Sequence, residues 1–159
     1  MKMAKLADLL GNARRQDMIR MSKNESVPNR GKKKHGTQMT KEEIEYLFKR
    51  LRSVKRWRMS AHAVSRITEK GIKVTYRDAV STIHTSKIIE YHIVNLGNGK
   101  KDERVLLRGN AVVNRDSNVH FVYSLTRQEI VSSWLNRVDD KHNTLDWRDY
   151  DEKLRIKGA

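Results

Sequence analysis

The chain reads as an α+β protein: helices first, then a four-stranded antiparallel sheet, with a basic N-terminal arm ahead of them and a short C-terminal helix behind. Apolar residues recur at helical spacing from about residue 41 to residue 83 and at a period of two from residue 87 onward. Turn chemistry, at Gly97-Asn98-Gly99 and over the polar run from Asn114 to Asn118, separates the alternating stretches. Helices followed by strands, without alternation of the two, is the α+β pattern.

Residues 1–39 read as an arm and linker. Leu6, Leu9, Leu10 and Ala13 form a thin amphipathic stripe that Gly11-Asn12 interrupts. Residues 24–36 hold the only proline and the cluster Lys32-Lys33-Lys34, a composition that buries nothing and whose lysines suit a phosphate backbone. Thr40 with Glu43 makes a capping box, and Ile44, Leu47, Phe48, Leu51 and Val54 predict a helix over 41–55. Lys49 and Arg52 lie on its outer face as further nucleic-acid ligands. Ser60 caps a second predicted helix that stops at Gly71, with His62 and Arg66 four apart on one face. Thr75 and Asp78 open a third, with Tyr76, Ala79, Val80 and Ile83 inward.

The strands are expected over 87–95, 103–110, 119–125 and 129–135. Ile89, Tyr91 and Ile93 share one face of the first, with Glu90 and His92 on the other. Residues 143–154 predict a turn and a short helix docked by Trp147 and Tyr150. The organisation is then an arm and linker over 1–39, one domain over 40–135 and a tail over 136–159.

Composition bounds the function. Lys and Arg number 34 against 19 Asp and Glu, a net charge of +15, and such an excess favours a polyanion, above all nucleic acid. The absence of cysteine excludes disulfides, thiolate zinc sites and cysteine nucleophiles. No apolar run approaches the roughly 18 residues of a membrane span, and the first residues lack a long apolar segment with a cleavage site. No membrane partner is expected, and the expected location is the cytoplasm. The aspartates between 139 and 151, with His142, fit no metal-site spacing, and neither a metal nor a cofactor is expected.

Alternation gathers His92, Arg104, Arg108, His120 and Ser124 on one polar surface if the strand registers agree. Metal-independent RNA cleavage needs a base for the 2′-hydroxyl, an acid for the leaving oxygen and cations for the phosphorane. His62 and His120 are the acid and base candidates, Arg66, Arg104 and Arg108 the phosphate ligands, and Ser124 or Tyr123 possible assistants. The same residues also admit structural roles. His120 as a cross-strand packing residue, His62 bonded to a loop, and arginines paired with Glu90, Asp102 or Glu103 fit the pattern as well.

The stretches Ser60 to Ile72, Ile88 to Tyr91, Arg104 to Gly109, Val119 to Val122 and Ile130 to Trp134 resemble a family of short domains from phages, mobile elements and toxin systems. That family looks like part of the barnase, EndoU, colicin and RelE superfamily of ribonuclease toxins. The resemblance covers about residues 42 to 135 and implies a helix-then-curved-sheet fold with metal-independent ribonuclease activity. His62, Arg66, Arg104 and His120 match its His, Arg, strand Arg and strand His. The pattern's arginine before the glycine is Lys70 here, and its last-strand threonine and tyrosine give way around Ser132, Ser133 and Trp134. Three readings stay open: an endoribonuclease acting on host RNA; a non-catalytic phage or mobile-element protein that binds nucleic acid, RNA ahead of DNA, or inhibits a host protein; or a virion-associated or purely structural basic protein. An enzyme of this kind also implies a cognate inhibitor.

Overall fold

A computed structural model describes residues 32–69, 76–113, 115–139, 147–156 and 158, without the side chains of 66–69 and 111–113. The arm stripe at Leu6 to Ala13, Gly71 and Thr75 lie outside the described residues. The class is α+β as expected, but among the described residues the sheet has six strands rather than four. In chain order they are β1 (Lys32–His35), β2 (Arg58–Met59), β3 (Lys87–Gly97), β4 (Lys100–Val113), β5 (Ser117–Ser124) and β6 (Glu129–Arg137). Across the sheet they run β1-β3-β4-β5-β6-β2, with only the β2–β6 pairing parallel.

Among the described residues three helices, α1 (Lys41–Ser53), α2 (Ala61–Glu69) and α3 (Tyr76–Thr85), line one face. Thr40 caps α1 as its sequence requires: Glu43 N donates to Thr40 Oγ1 at 3.1 Å and Thr40 N to Glu43 Oε1 at 2.9 Å. Ser60 Oγ accepts from Ala63 N at 3.0 Å and donates to Val131 O at 3.0 Å, so one residue both starts α2 and ties it to β6. Leu47 and Leu51 of α1, Ala63 of α2, and Ala79 and Ile83 of α3 are buried against Tyr91, Val105, Leu107, Phe121 and Tyr123 of the sheet. Tyr76 departs from its expected inward role. Its side chain is largely exposed, and its hydroxyl accepts from Trp57 N at 2.9 Å.

Two register shifts explain why simple alternation does not describe every strand. Ile88 and Tyr91 both enter the core although they are three apart, because the pairing slips at Ile89 between Ile88↔Leu107 and Glu90↔Leu106. A second slip at Val131 puts Ile130 opposite Tyr123 and Ser133 opposite Phe121. The β3–β4 hairpin closes through Asn98 (φ 53°) and Gly99 (φ 73°), the left-handed pair of a type I′ turn.

The largest departure lies at the β1 edge. Lys32 to His35 form a strand, not a mobile linker, paired antiparallel with Glu90 to Ile93. Lys34 is the reason this can happen: its Nζ donates at 2.9 Å to both oxygens of Glu43 and at 3.1 Å to Leu154 O, so its charge is neutralised as it is buried. The tail is also part of this edge. The short helix expected there is, in its described portion, a single 3-10 turn, Trp147–Asp149. Beyond it Asp151 N donates to Lys33 O at 2.8 Å, and Leu154 and Ile156 join the core.

Candidate nucleic-acid interface

The face opposite the helices carries the polar residues, and the strand registers align them as alternation predicts. Lys33, His92, Arg104, Ser124 and Glu129 form one cross-strand row. Lys87, Arg108, His120 and Trp134 form another. Asp102 lies on the same face, two residues from Arg104 along β4.

Asp102 organises the first row. It is fully buried, takes a 2.5 Å hydrogen bond from Ser124 Oγ, and binds Arg104 Nε at 2.7 Å and Arg127 at 3.2 Å through one oxygen. Burial alone would raise its pKa. The Ser124 hydrogen bond and then the Arg104 hydrogen bond and charge outweigh burial and hold the carboxyl below its ordinary range. Arg127 also lies 3.9 Å from Glu129, so the two guanidinium groups share two carboxylates, and both reach solvent, with side-chain exposures of 28% for Arg104 and 40% for Arg127. Ser124 also accepts from Arg127 N at 3.0 Å. Its hydroxyl is buried and engaged on both sides, which removes it as an assisting nucleophile or acid.

Arg108 has a different task. Its Nε donates to Asn118 Oδ1 at 3.0 Å, and one terminal nitrogen donates to Arg137 O and Val138 O, each at 2.9 Å. The side chain therefore staples β4 to the end of β6. Beside it His120 is fully buried, its ring stacked on Trp134 with centroids 5.7 Å apart and planes 16° apart, and its Nδ1 3.4 Å from Asn118 O. That is the cross-strand packing role.

The sheet itself separates the two histidines. Ser133 Oγ donates to Ala63 O at 3.4 Å, and Ser133 is the partner of Phe121, so α2 covers the Phe121 face. His62, exposed on α2, is therefore on the helical side, while His120 and its partner Trp134 point to the other. One phosphate between His62 and His120, the geometry expected for acid and base, is not assembled. Arg66 belongs to α2 as well, but its side chain lies outside the described residues.

Of the remaining expected phosphate ligands, Lys32 is exposed at the sheet edge, Lys33 sits 3.6 Å from Glu90, and Lys34 is buried on Glu43 and so is withdrawn from any phosphate. Lys49 and Arg52 are exposed on α1, on the helical side, with Arg52 lying 5.0 Å over the Phe48 ring. Tyr123, buried, donates to Ala79 O at 2.6 Å and serves the core. Sequence reasoning missed Arg127, which sits in a turn where no period assigns a face. It named Asp102 only as a possible ion-pair partner, although alternation from Arg104 already places it on the polar face.

Comparison of the chain with protein-family models, with curated proteins and with solved structures finds no match. No helix among the described residues is long and apolar enough to cross a membrane.

Proposed function

We propose that the protein binds RNA, and that it does so as a non-catalytic binder through the polar face of the sheet. The observation that carries this reading is the pair Arg104 and Arg127, held side by side by buried Asp102, with Arg104 in the row that also contains His92 and Lys33. Arg104, whose Nε is fixed on Asp102, keeps its terminal N–H groups for a second acceptor, and Arg127, held through its terminal nitrogens by Asp102 and Glu129, stays 40% exposed beside it, so that a phosphate oxygen suits the spare N–H groups of both. The net charge of +15 supplies the long-range attraction. The resemblance to ribonuclease toxins supplies the class of partner, RNA. The separation of His62 from His120 across the sheet favours binding over cleavage, since general acid and base must address one phosphate.

The test is the salt dependence of binding to single-stranded RNA. Each phosphate that the protein ceases to neutralise lowers the slope of log K against log salt by about 0.7. Arg127→Ala is expected to lower it by about that amount with the fold unchanged by circular dichroism, and an unaltered slope and affinity would remove Arg127 from the interface. In the same experiment the RNA is expected to remain intact in excess chelator. Cleavage that is abolished in His120→Ala without loss of fold would restore the enzyme reading.

A further inference from the structure

Trp147 stands apart from the other two tryptophans. Trp57 is in the core and Trp134 stacks on His120, whereas Trp147 is 49% exposed. Its ring is nonetheless held. It meets His35 edge-on at 5.3 Å and Tyr150 at 5.3 Å, and His35 meets Tyr150 at 5.7 Å, closing a three-ring cluster. The ring contacts are backed by hydrogen bonds on two of the rings and on the backbone of the third. His35 Nδ1 lies 2.8 Å from Thr37 Oγ1, the Tyr150 hydroxyl donates to Glu90 at 2.9 Å, and Tyr150 N donates to Trp147 O at 3.1 Å. An exposed aromatic surface fixed in advance loses little conformational entropy when something stacks on it.

Location identifies the occupant. The cluster borders the β1 end of the polar face, where Lys33 lies 6.0 Å from the Tyr150 ring and opens the row that leads through His92 to Arg104. Two strand spacings of about 4.8 Å separate β1 from Arg104. Asp149, Asp151 and Glu152, which follow Trp147 in the chain, are balanced by Arg148, Lys153 and Arg155, so the platform carries no net charge of its own and offers a flat apolar ring to a neutral group. A base has that character when its Watson–Crick partner is absent, and base–aromatic stacking beside a cationic track is how single strands are held.

We propose that Trp147 is the stacking platform for an unpaired base of a single-stranded RNA whose phosphates rest on Arg104 and Arg127. The inference rests on the RNA-binding reading and adds the choice of single strand over duplex.

The experiment uses the full chain with a short oligoadenylate RNA and the same oligomer annealed to oligouridylate. The emission of the wild-type protein is expected to be quenched by oligoadenylate, and the quenching to disappear in Trp147→Phe. Trp147→Ala is expected to weaken oligoadenylate binding about ten-fold or more while leaving the salt slope and the duplex affinity unchanged. Quenching reports on stacking in the wild type, so the test stands even if Trp147→Ala does not fold. Binding with no quenching, or a folded Trp147→Ala variant that binds as tightly as wild type while Arg127→Ala lowers the slope, overturns the platform and leaves RNA binding intact. An absence of all oligoadenylate binding by the wild type at low salt overturns both.

Discussion

Asp102 has no solvent exposure, yet it remains ionised because Ser124, Arg104 and Arg127 all point at it. Its folded pKa lies below the unfolded value of about 3.9, so its contribution to stability is complete at neutral pH and is lost as pH falls through the folded value. Asp102→Asn should cost about 2 kcal/mol at pH 7, the scale of a hydrogen bond to a charged group, and should flatten the loss of stability below about pH 4. Urea melts between pH 3 and 7 check both parts, and an acid profile parallel to wild type would remove Asp102 as the group responsible. The two candidate histidines separate at this scale as well. His120→Ala empties a fully buried site and should cost about 2 to 4 kcal/mol, while exposed His62→Ala should stay within about 0.5 kcal/mol. Thermal melts of the two variants make the comparison.

At the scale of elements, α1 and the β1 edge depend on each other through one ion pair. Glu43 completes the α1 capping box and also receives Lys34, whose third hydrogen bond holds the tail at Leu154. Burial raises the Glu43 pKa, but the Lys34 hydrogen bond and the Thr40 bonds hold it below the ordinary carboxylate range. Lys34→Ala should cost about 3 kcal/mol because it leaves a buried carboxylate without its cation, and hydrogen exchange should then rise first in Lys32 to His35 and in the tail. Protection unchanged in both segments would mean that the pair does not couple them. Leu47→Ala and Leu51→Ala should each cost about 2 to 5 kcal/mol, since both side chains are fully buried on the inner face of α1. A cost below about 0.5 kcal/mol in urea unfolding, the range of ordinary surface sites, would contradict that packing. A truncation meant to test the charge of the N-terminal arm has to end before Lys32, because β1 begins there.

Over the whole molecule the sheet acts as a partition. Helices, Leu47, Phe121 and the exposed His62 and Lys49 belong to one side; Arg104, Arg108, His120 and the Asp102 cluster belong to the other. Cations therefore occur on both sides, but among the described residues only the polar side has a buried carboxylate that fixes two of them together. Arg127→Ala should consequently change the salt slope of RNA binding more than Lys49→Ala, whose ammonium stands on an exposed helix surface across the sheet from the polar face. Equal effects of the two variants in parallel titrations would point to diffuse charge rather than a defined interface.

Local patterns were enough to read much of the fold. The Thr40 and Glu43 capping box, the apolar spacing of α1, the change of period at residue 87 and the Asn98-Gly99 turn all act within a few residues, so the chain displays them without its tertiary context. Alternation also placed Arg104, Arg108, His120 and Ser124 on one face, because β4 and β5 pair without a slip between those rows, and His92 joins them as the direct partner of Arg104. Only the tertiary structure decided the rest. A lysine run reads as solvated linker until Glu43 and Leu154, distant in sequence, neutralise Lys34 and make a sixth strand possible. A bulge at Ile89 resets alternation in a way no period announces. And the side of the sheet on which α2 lands, which sets His62 apart from His120, follows from how the helix packs on Ser133 and Ile130 and not from the spacing of the histidines along the chain.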